Sequence, residues 1–323
     1  MKIGIVGAGA VGSYYGALLG LSGQEVHFLL RSDYEVVRER GVTIQSADGD
    51  FHFQPRAARS PDEIGPCDLV VIALKTTAND QFPVLLPPLV HPGTMVFTLQ
   101  NGLGNEEELA RLFDPHQILG GLCFVCLNRI SPGIIHHLAH GMIVFGEFGR
   151  PPEPRTQQLA EVLRRARIPC KVSENLAAAH WEKLVWNIPF NGLGVAAAAG
   201  FDAVMHGCLT TNQSVSSCMP TDKLLGEARW EALVKALMLE VIATANALGL
   251  GLSLEIADQQ IERTREMGAY QASTLVDFER GLALELDSLF QEPLRQARKA
   301  GVSTPILANV CAVLKQLDSL RAG

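Results

Sequence analysis

The sequence predicts an N-terminal α/β unit built on a parallel sheet, followed by an all-helical unit. Three observations predict this. The apolar run Lys2-Ile3-Gly4-Ile5-Val6 leads through Gly7-Ala8-Gly9-Ala10-Val11-Gly12 into a helix opening, Ser13-Tyr14-Tyr15-Gly16-Ala17-Leu18-Leu19. Strand-like runs recur at residues 25–30, 68–74 and 94–99, and the one at 68–74 is continuously apolar after Asp68, the pattern of a strand covered on both faces. From Asn175 onward, apolar residues recur at helical spacing instead.

Composition narrows the function. The 323 residues are enough for two domains, and 47% hydrophobic with 19% charged residues is an ordinary globular balance. A net charge of −7 and the absence of basic runs argue against nucleic acid and anionic membrane surfaces as partners. No apolar run approaches the roughly 20 residues that a membrane span needs. The N-terminus reads as a strand, not a signal peptide. The seven cysteines are odd in number and scattered, so they read as reduced thiols in a cytoplasmic protein. Cys123-Phe-Val-Cys126 has metal or redox spacing, but it lies in a strand-like run where i and i+3 face opposite ways. No metal site is expected.

A strand, a GxGxxG and a helix in that order read as a dinucleotide site; the alternative is a tight β–α turn with no ligand. Gly7 permits the tight turn, Gly9 lets the backbone approach a pyrophosphate, and Gly12 lets helix and strand pack closely. Ala8, Ala10 and Val11 complete the loop. The second strand ends in Arg31, where an NAD site usually carries an acidic residue. A cation there suits a 2′-phosphate, which points to NADP(H); the alternative is a surface Arg with its stem over the adenine. The next two strands run into Lys75-Thr76-Thr77-Ala78-Asn79-Asp80 and Gln100-Asn101-Gly102-Leu103-Gly104-Asn105. Ligands lie beyond the carboxyl ends of such strands, so Lys75 and Asn101 are candidates for cofactor or substrate; otherwise they are solvated turn residues.

Three strand-like runs, at 117–126, 133–137 and 142–146, predict an antiparallel extension of the sheet, with turns at Ser131-Pro132-Gly133 and at Gly141. A helix over 154–166 and an edge strand over 168–172 complete the first domain, residues 1–174. In the second domain, residues 175–323, the segment Trp181-Glu182-Lys183-Leu184-Val185-Trp186-Asn187-Ile188-Pro189-Phe190-Asn191 stands out. Lys183, Asn187 and Asn191 are spaced four and four, one stripe of a largely packed helix. Buried polar groups need partners, and a ligand with a carbonyl, a hydroxyl and a carboxylate supplies them. The alternative is a Lys reaching to water beside two loop-capping Asn. Pro189 should free the Val185 carbonyl and bend the axis. Residues 201–220 read as an inserted loop, Thr221 as a helix cap, and Thr304-Pro305 as the start of the last helix.

These stretches together resemble the ketopantoate reductase (2-dehydropantoate 2-reductase) family. The resemblance rests on the glycine turn, Arg31, Leu74-Lys75-Thr76-Thr77-Ala78-Asn79-Asp80, Gln100-Asn101-Gly102-Leu103-Gly104, Trp181-Glu182-Lys183-Leu184 with Asn187 and Asn191, and Ser273-Thr274-Leu275-Val276-Asp277 with Glu285. It implies a Rossmann-type dinucleotide-binding domain before a helical substrate domain. It implies reduction of 2-dehydropantoate to pantoate by NADPH, in the route to pantothenate and coenzyme A. By the same resemblance Lys183 is the general acid, with His180 a weaker candidate, and Glu285 holds the substrate hydroxyl or Lys183. Asn187, Asn191 and Ser273 grip the substrate. Arg31 and Lys75 hold the phosphate side of the cofactor, and Asn101 lies by the nicotinamide ribose. The chain departs from the family pattern at Phe290-Gln291, where Asn-Gly is frequent, and at 201–220. Reduction of another 2-oxo acid, and NADPH binding without turnover, are the alternatives. A homodimer is left open.

Overall fold

The computed structural model describes residues 1–209 and 216–322. The chain divides into two compact units, Met1–Asn101 with Asn105–Leu176, and Gly102–Gly104 with Ala177–Gly323.

In the first unit, β1 (Lys2–Val6), α1 (Ala10–Leu21) and β2 (Glu25–Leu29) form the opening β–α–β. Helix α2 (Tyr34–Arg40), a hairpin of β3 (Val42–Ser46) and β4 (Phe51–Phe53), β5 (Arg56–Ala58) and the one-turn α3 (Pro61–Ile64) follow. Strand β6 (Leu69–Ile72) leads through a 3₁₀ turn (Thr76–Gln81) and α4 (Phe82–Leu85) to β7 (Met95–Thr98). Then come α5 (Asn105–Ala110), β8 (Ile118–Ser131), β9 (Ile134–Glu147), α6 (Pro154–Arg165) and β10 (Cys170–Val172). These strands make one ten-stranded mixed sheet. Its parallel part runs β5-β2-β1-β6-β7-β8, the doubly wound order.

Both faces of that part are covered, and the period of two sorts the side chains between them. Ile3, Ile5, Leu69, Val71, Met95 and Phe97 enter one apolar cluster, while Val6, Val70, Ile72 and Val96 enter the other. Helix α1 lies in the first. It touches β1, β2, β3, β4, β8 and β9, so the sheet wraps around it. Small residues allow this approach: a Cβ on Gly16 would stand 2.5 Å from the Phe28 ring, and one on Gly20 would stand 2.0 Å from the Phe53 ring. Tyr15, 1% exposed, donates its hydroxyl to the Gly141 carbonyl of β9 at 3.3 Å.

The sheet departs from the expectation in three places. The three runs expected between 117 and 146 are two 14-residue strands, β8 and β9, paired antiparallel. Gly141 does not end a strand. It is an unpaired bulge (φ +142°) between Met142, opposite Phe124, and His140, opposite Val125. The extension is also not purely antiparallel, because β9 takes β3 and β10 in parallel register. The hairpin β3–β4 is legible afterwards in the alternation of Val42, Ile44, Phe51 and Phe53.

The helical unit holds α7 (Leu176–Ala196), α8 (Phe201–His206), α9 (Thr221–Gly226), α10 (Ala228–Ala247), α11 (Glu255–Arg265), α12 (Ser273–Glu279), α13 (Glu292–Lys299) and α14 (Pro305–Ala322), with a π turn over Asp287–Gln291. Helix α7 runs through Pro189 without interruption. The segment 201–220 is not all loop: Phe201–His206 is helical, its Phe201 ring edge-on to the buried Trp230 at 5.1 Å. Residues 210–215 lie outside the described residues.

One cap expectation changes, and the one at Thr304, whose carbonyl accepts the Ala308 N–H at 3.0 Å, gains a partner. Thr221 is the first residue of α9, not its cap, and its hydroxyl donates to the Gly268 carbonyl at 2.7 Å. At α14, the N–H groups of Ile306 and Leu307 donate to Glu240 of α10, at 2.9 and 2.8 Å. A carboxylate from another helix therefore caps α14 at its positive end. Burial raises the Glu240 pKa, more than the two N–H bonds lower it. Protonation thus favours the fold: the desolvation cost is present above the raised pKa and fades as pH falls through it. Glu240→Ala is expected to destabilise the protein by about 1 kcal/mol, the worth of a helix cap. A lower midpoint in urea unfolding at neutral pH checks this, and an unchanged midpoint contradicts it.

Candidate active site

The glycine turn joins β1 to α1. Gly7 has φ +100°, and a Cβ there would stand 2.4 Å from the Leu74 nitrogen, at the end of β6. A Cβ on Gly12 would stand 2.2 Å from the Gly7 carbonyl oxygen. Both positions therefore require glycine. At Gly9 the opposite holds: a Cβ would meet nothing within 4 Å, so open space adjoins the backbone. Gly9 caps α1 without a side-chain hydrogen bond. The first N–H groups of the helix lack an internal partner by geometry, and they suit a pyrophosphate. Ala8, Ala10 and Val11 are half-buried around the turn.

Arg31 is exposed just after β2. Asp33, two residues on and 7% exposed, is held by Arg129 of β8. Arg129 Nε lies 3.0 Å from Oδ2, and Nη2 lies 2.5 Å from Oδ1. The carboxylate next to Arg31 is thus neutralised by a forked cation. Sequence reading missed this pair, whose members are 96 residues apart. It also missed Arg59, which follows β5 and lies over the Tyr34 ring at 4.3 Å while pairing with Glu35.

Lys75 is exposed and opens the 3₁₀ turn after β6, and Asn101 is half-buried after β7. Side-chain amides join these two strand ends. Thr98 Oγ1 donates to Gln100 Oε1 at 2.9 Å, and Gln100 Nε2 donates to Asn79 Oδ1 at 2.8 Å. Asn79 Nδ2 donates to Asn105 Oδ1 at 3.0 Å, and Asn105 Nδ2 donates to the Asn101 carbonyl at 3.2 Å. The sequence signal was a cluster of amides at two adjacent strand ends, to which no role was assigned beyond Asn101.

In the helical unit, the stripe on α7 is real. Lys183 is half-buried, Asn187 is 6% exposed, Asn191 is 2% exposed, and His180 on the same face is 7% exposed. Asn191 Oδ1 accepts the Thr274 N–H at 2.9 Å and the Ser273 hydroxyl at 3.3 Å. Its carbonyl therefore holds the start of α12. Glu285 is 5% exposed, in the segment leading into the π turn. Trp186 packs against Phe190 at 5.0 Å and donates to Thr264 at 2.9 Å. Phe290, where the chain departs from the family pattern, is fully buried against Gly192.

Among the described residues no group of three or more His, Cys, Asp or Glu side chains is placed to hold a metal. Burial pushes the Cys67 and Cys218 thiols up to about 11 and Cys311 up to about 12, so these are neutral at physiological pH. No helix among the described residues is long and apolar enough to cross a membrane.

Comparison with known proteins agrees with this geometry. The model of the family "Ketopantoate reductase PanE/ApbA" matches residues 3–150, and that of its C-terminal part matches residues 175–318. The chain is 38% identical to the 2-dehydropantoate 2-reductase of Nostoc sp., covering 98% of this chain and 95% of that one. It superposes on the crystal structure of 2-dehydropantoate 2-reductase from Geobacter metallireducens with a TM-score of 0.89 and 43% identity, over 98% and 99% of the two chains. D-mandelate dehydrogenase, solved with NADH and anilino(oxo)acetate, shares the fold over the full length of both chains, at a TM-score of 0.87 but only 20% identity. A strand–glycine–helix turn with open space beside Gly9, a Lys/Asn stripe on a packed helix, and relatives matched end to end lead to one conclusion: the chain belongs to the ketopantoate reductase family, dinucleotide-dependent oxidoreductases that act on CH–OH groups.

Proposed function

We propose that the chain reduces 2-dehydropantoate to pantoate with NADPH, in the cytoplasm and on the route to pantothenate and coenzyme A. The observation that carries this reading is the α7 stripe. It sets the half-buried Lys183 one turn from the nearly buried Asn187, in a chain that also has the glycine turn. We assign cofactor binding to residues 1–174 and substrate binding and proton transfer to residues 175–323.

NADPH, when bound, supplies a hydride to the ketone carbon. The Lys183 ammonium donates the proton that the ketone oxygen takes up, and its charge stabilises the developing alkoxide. Glu285 orients Lys183 or the substrate hydroxyl, and we assign it a contact with the cofactor as well. Asn187, Asn191 and Ser273 bind the hydroxyl and carboxylate of the substrate. For Asn191 this leaves the amide nitrogen, because its carbonyl already holds α12. Gly7, Ala8, Gly9, Ala10, Val11 and Gly12 cradle the pyrophosphate. Lys75 steadies the phosphate side, and Asn101 bonds the nicotinamide ribose and the substrate.

The preference for NADPH rests on two facts. Arg31 is exposed at the end of β2, and the nearby Asp33 carboxylate is neutralised by Arg129. A second reading, reduction of another 2-oxo acid, is favoured by Phe290. A buried aromatic fills the position where Asn is frequent in the family, so a polar side chain is missing from the segment that follows Glu285.

Three outcomes are expected. Loss of reduced-nicotinamide absorbance should be rapid with NADPH and 2-dehydropantoate, and slow with NADH. A rate with 2-dehydropantoate no higher than with simple 2-oxo acids would move the assignment to the second reading. Lys183→Ala should lower kcat by roughly 10²- to 10⁴-fold, the usual worth of a positioned acid; a near-normal rate removes Lys183 from the mechanism. Arg31→Ala should raise the KM for NADPH roughly tenfold, through loss of a charge-assisted hydrogen bond, and leave that for NADH nearly unchanged. Equal effects on both cofactors would overturn the 2′-phosphate assignment.

A further inference from the structure

Four hydrogen bonds run head to tail from Thr98 through Gln100, Asn79 and Asn105 to the carbonyl of Asn101. Each amide in the chain accepts through its oxygen and donates through its nitrogen. Turning Asn79 or Asn105 alone would set oxygen against oxygen on one side and nitrogen against nitrogen on the other. The chain therefore has one polarity, fixed at its end by a main-chain carbonyl that can only accept; the Thr98 hydroxyl at its start can donate or accept. Thr98 and Asn105 are each 1% exposed and Gln100 is 5% exposed. Such bonds are costly to break, because the buried groups have no water to turn to.

The central member, Asn79, comes from a different strand end. It sits in the 3₁₀ turn that Lys75 opens after β6, whereas Gln100, Asn101 and Asn105 follow β7. Packing alone would let the two loops drift. The amide of Asn79 bridges them, taking a donor from Gln100 and giving one to Asn105, which in turn grips the backbone of Asn101.

We propose that Asn79 is a positioning residue, which through Asn105 holds the Asn101 main chain in register with the turn that starts at Lys75 and so presets the grip of both on the dinucleotide. The proposal rests on the reading that Lys75 and Asn101 bind that cofactor. Asn79 itself touches neither the cofactor nor the substrate in this role.

The chemistry of the chain gives a test that a merely structural role would not pass. In Asn79→Asp, the ionised carboxylate can accept from Gln100 but cannot donate to Asn105. Asn105 would then have to turn its nitrogen toward the carboxylate and its oxygen toward the Asn101 carbonyl, which cuts the last bond. Protonation of the introduced carboxylate restores a donor and with it the chain.

NADP⁺ binding to the whole protein, followed by quenching of tryptophan fluorescence, reads this without turnover. Asn79→Asp is expected to weaken binding roughly five- to tenfold at pH 8, the worth of one lost hydrogen bond, and to recover toward the wild-type value measured at the same pH as pH falls to about 4, where an ordinary Asp carboxyl is half protonated. Asn79→Ala, a milder change should the acid fail to fold, should weaken binding similarly at both pH values. In an Asn101→Ala background, Asn79→Ala should cost less than it does alone, because one of the two grips it presets is already gone.

Wild-type affinity in both Asn79 variants would overturn the proposal, and so would full additivity of Asn79→Ala with Asn101→Ala. Those results would leave the dinucleotide reading intact if Asn101→Ala alone weakens binding. If the wild-type protein fails to bind NADP⁺, the dinucleotide reading falls, and the proposal falls with it.

Discussion

The first unit depends on how closely α1 can approach the sheet. Gly12 lies against the Gly7 carbonyl, Gly16 against Phe28, and Gly20 against Phe53. Side chains at these places would hold the helix off the strands. With the helix seated, the sheet wraps it from β2 through β8 and β9 to β4, and Tyr15 can reach the Gly141 carbonyl. The same seating points the start of the helix at the open space beside Gly9. The packing of the helix and the open space at its start thus follow from one constraint.

Polar groups in the candidate site are held by other polar groups before any ligand is considered. Asp33 is held by Arg129, Asn79 by Gln100 and Asn105, and the Asn191 carbonyl by the start of α12. Each pairing lowers the conformational freedom that binding would otherwise have to remove. Each also narrows the roles open to a residue. Asn191 was expected to grip a substrate, and the structure commits its amide oxygen to the start of α12.

Much of the fold could be read from local pattern. The four leading strands of the parallel sheet, the glycine turn and α1, and the start of the helical unit were visible because each rests on residues adjacent in sequence. The extended strands β8 and β9 were not, because Gly141 reads as a turn and acts as a bulge. The hairpin β3–β4 was not, because it closes on β9, some 90 residues away along the chain. Thr304 could be read as the cap of α14 and holds that position, but the carboxylate that also bonds Ile306 and Leu307 comes from the distant Glu240.

The sequence by itself determined the parts whose chemistry is local: a strand–glycine–helix turn for a dinucleotide, a cation at Arg31, and the Lys183–Asn187–Asn191 stripe at helical spacing. Tertiary structure alone decided which of those groups are already engaged and by what. Arg129 reaches Asp33 only because the long antiparallel arm of β8 carries it there, and Asn79 bridges Gln100 to Asn105 only because the adjacent parallel strands β6 and β7 end side by side. A hydrogen bond is satisfied by distance and direction in space, and sequence spacing records these only within a helix, a strand or a turn.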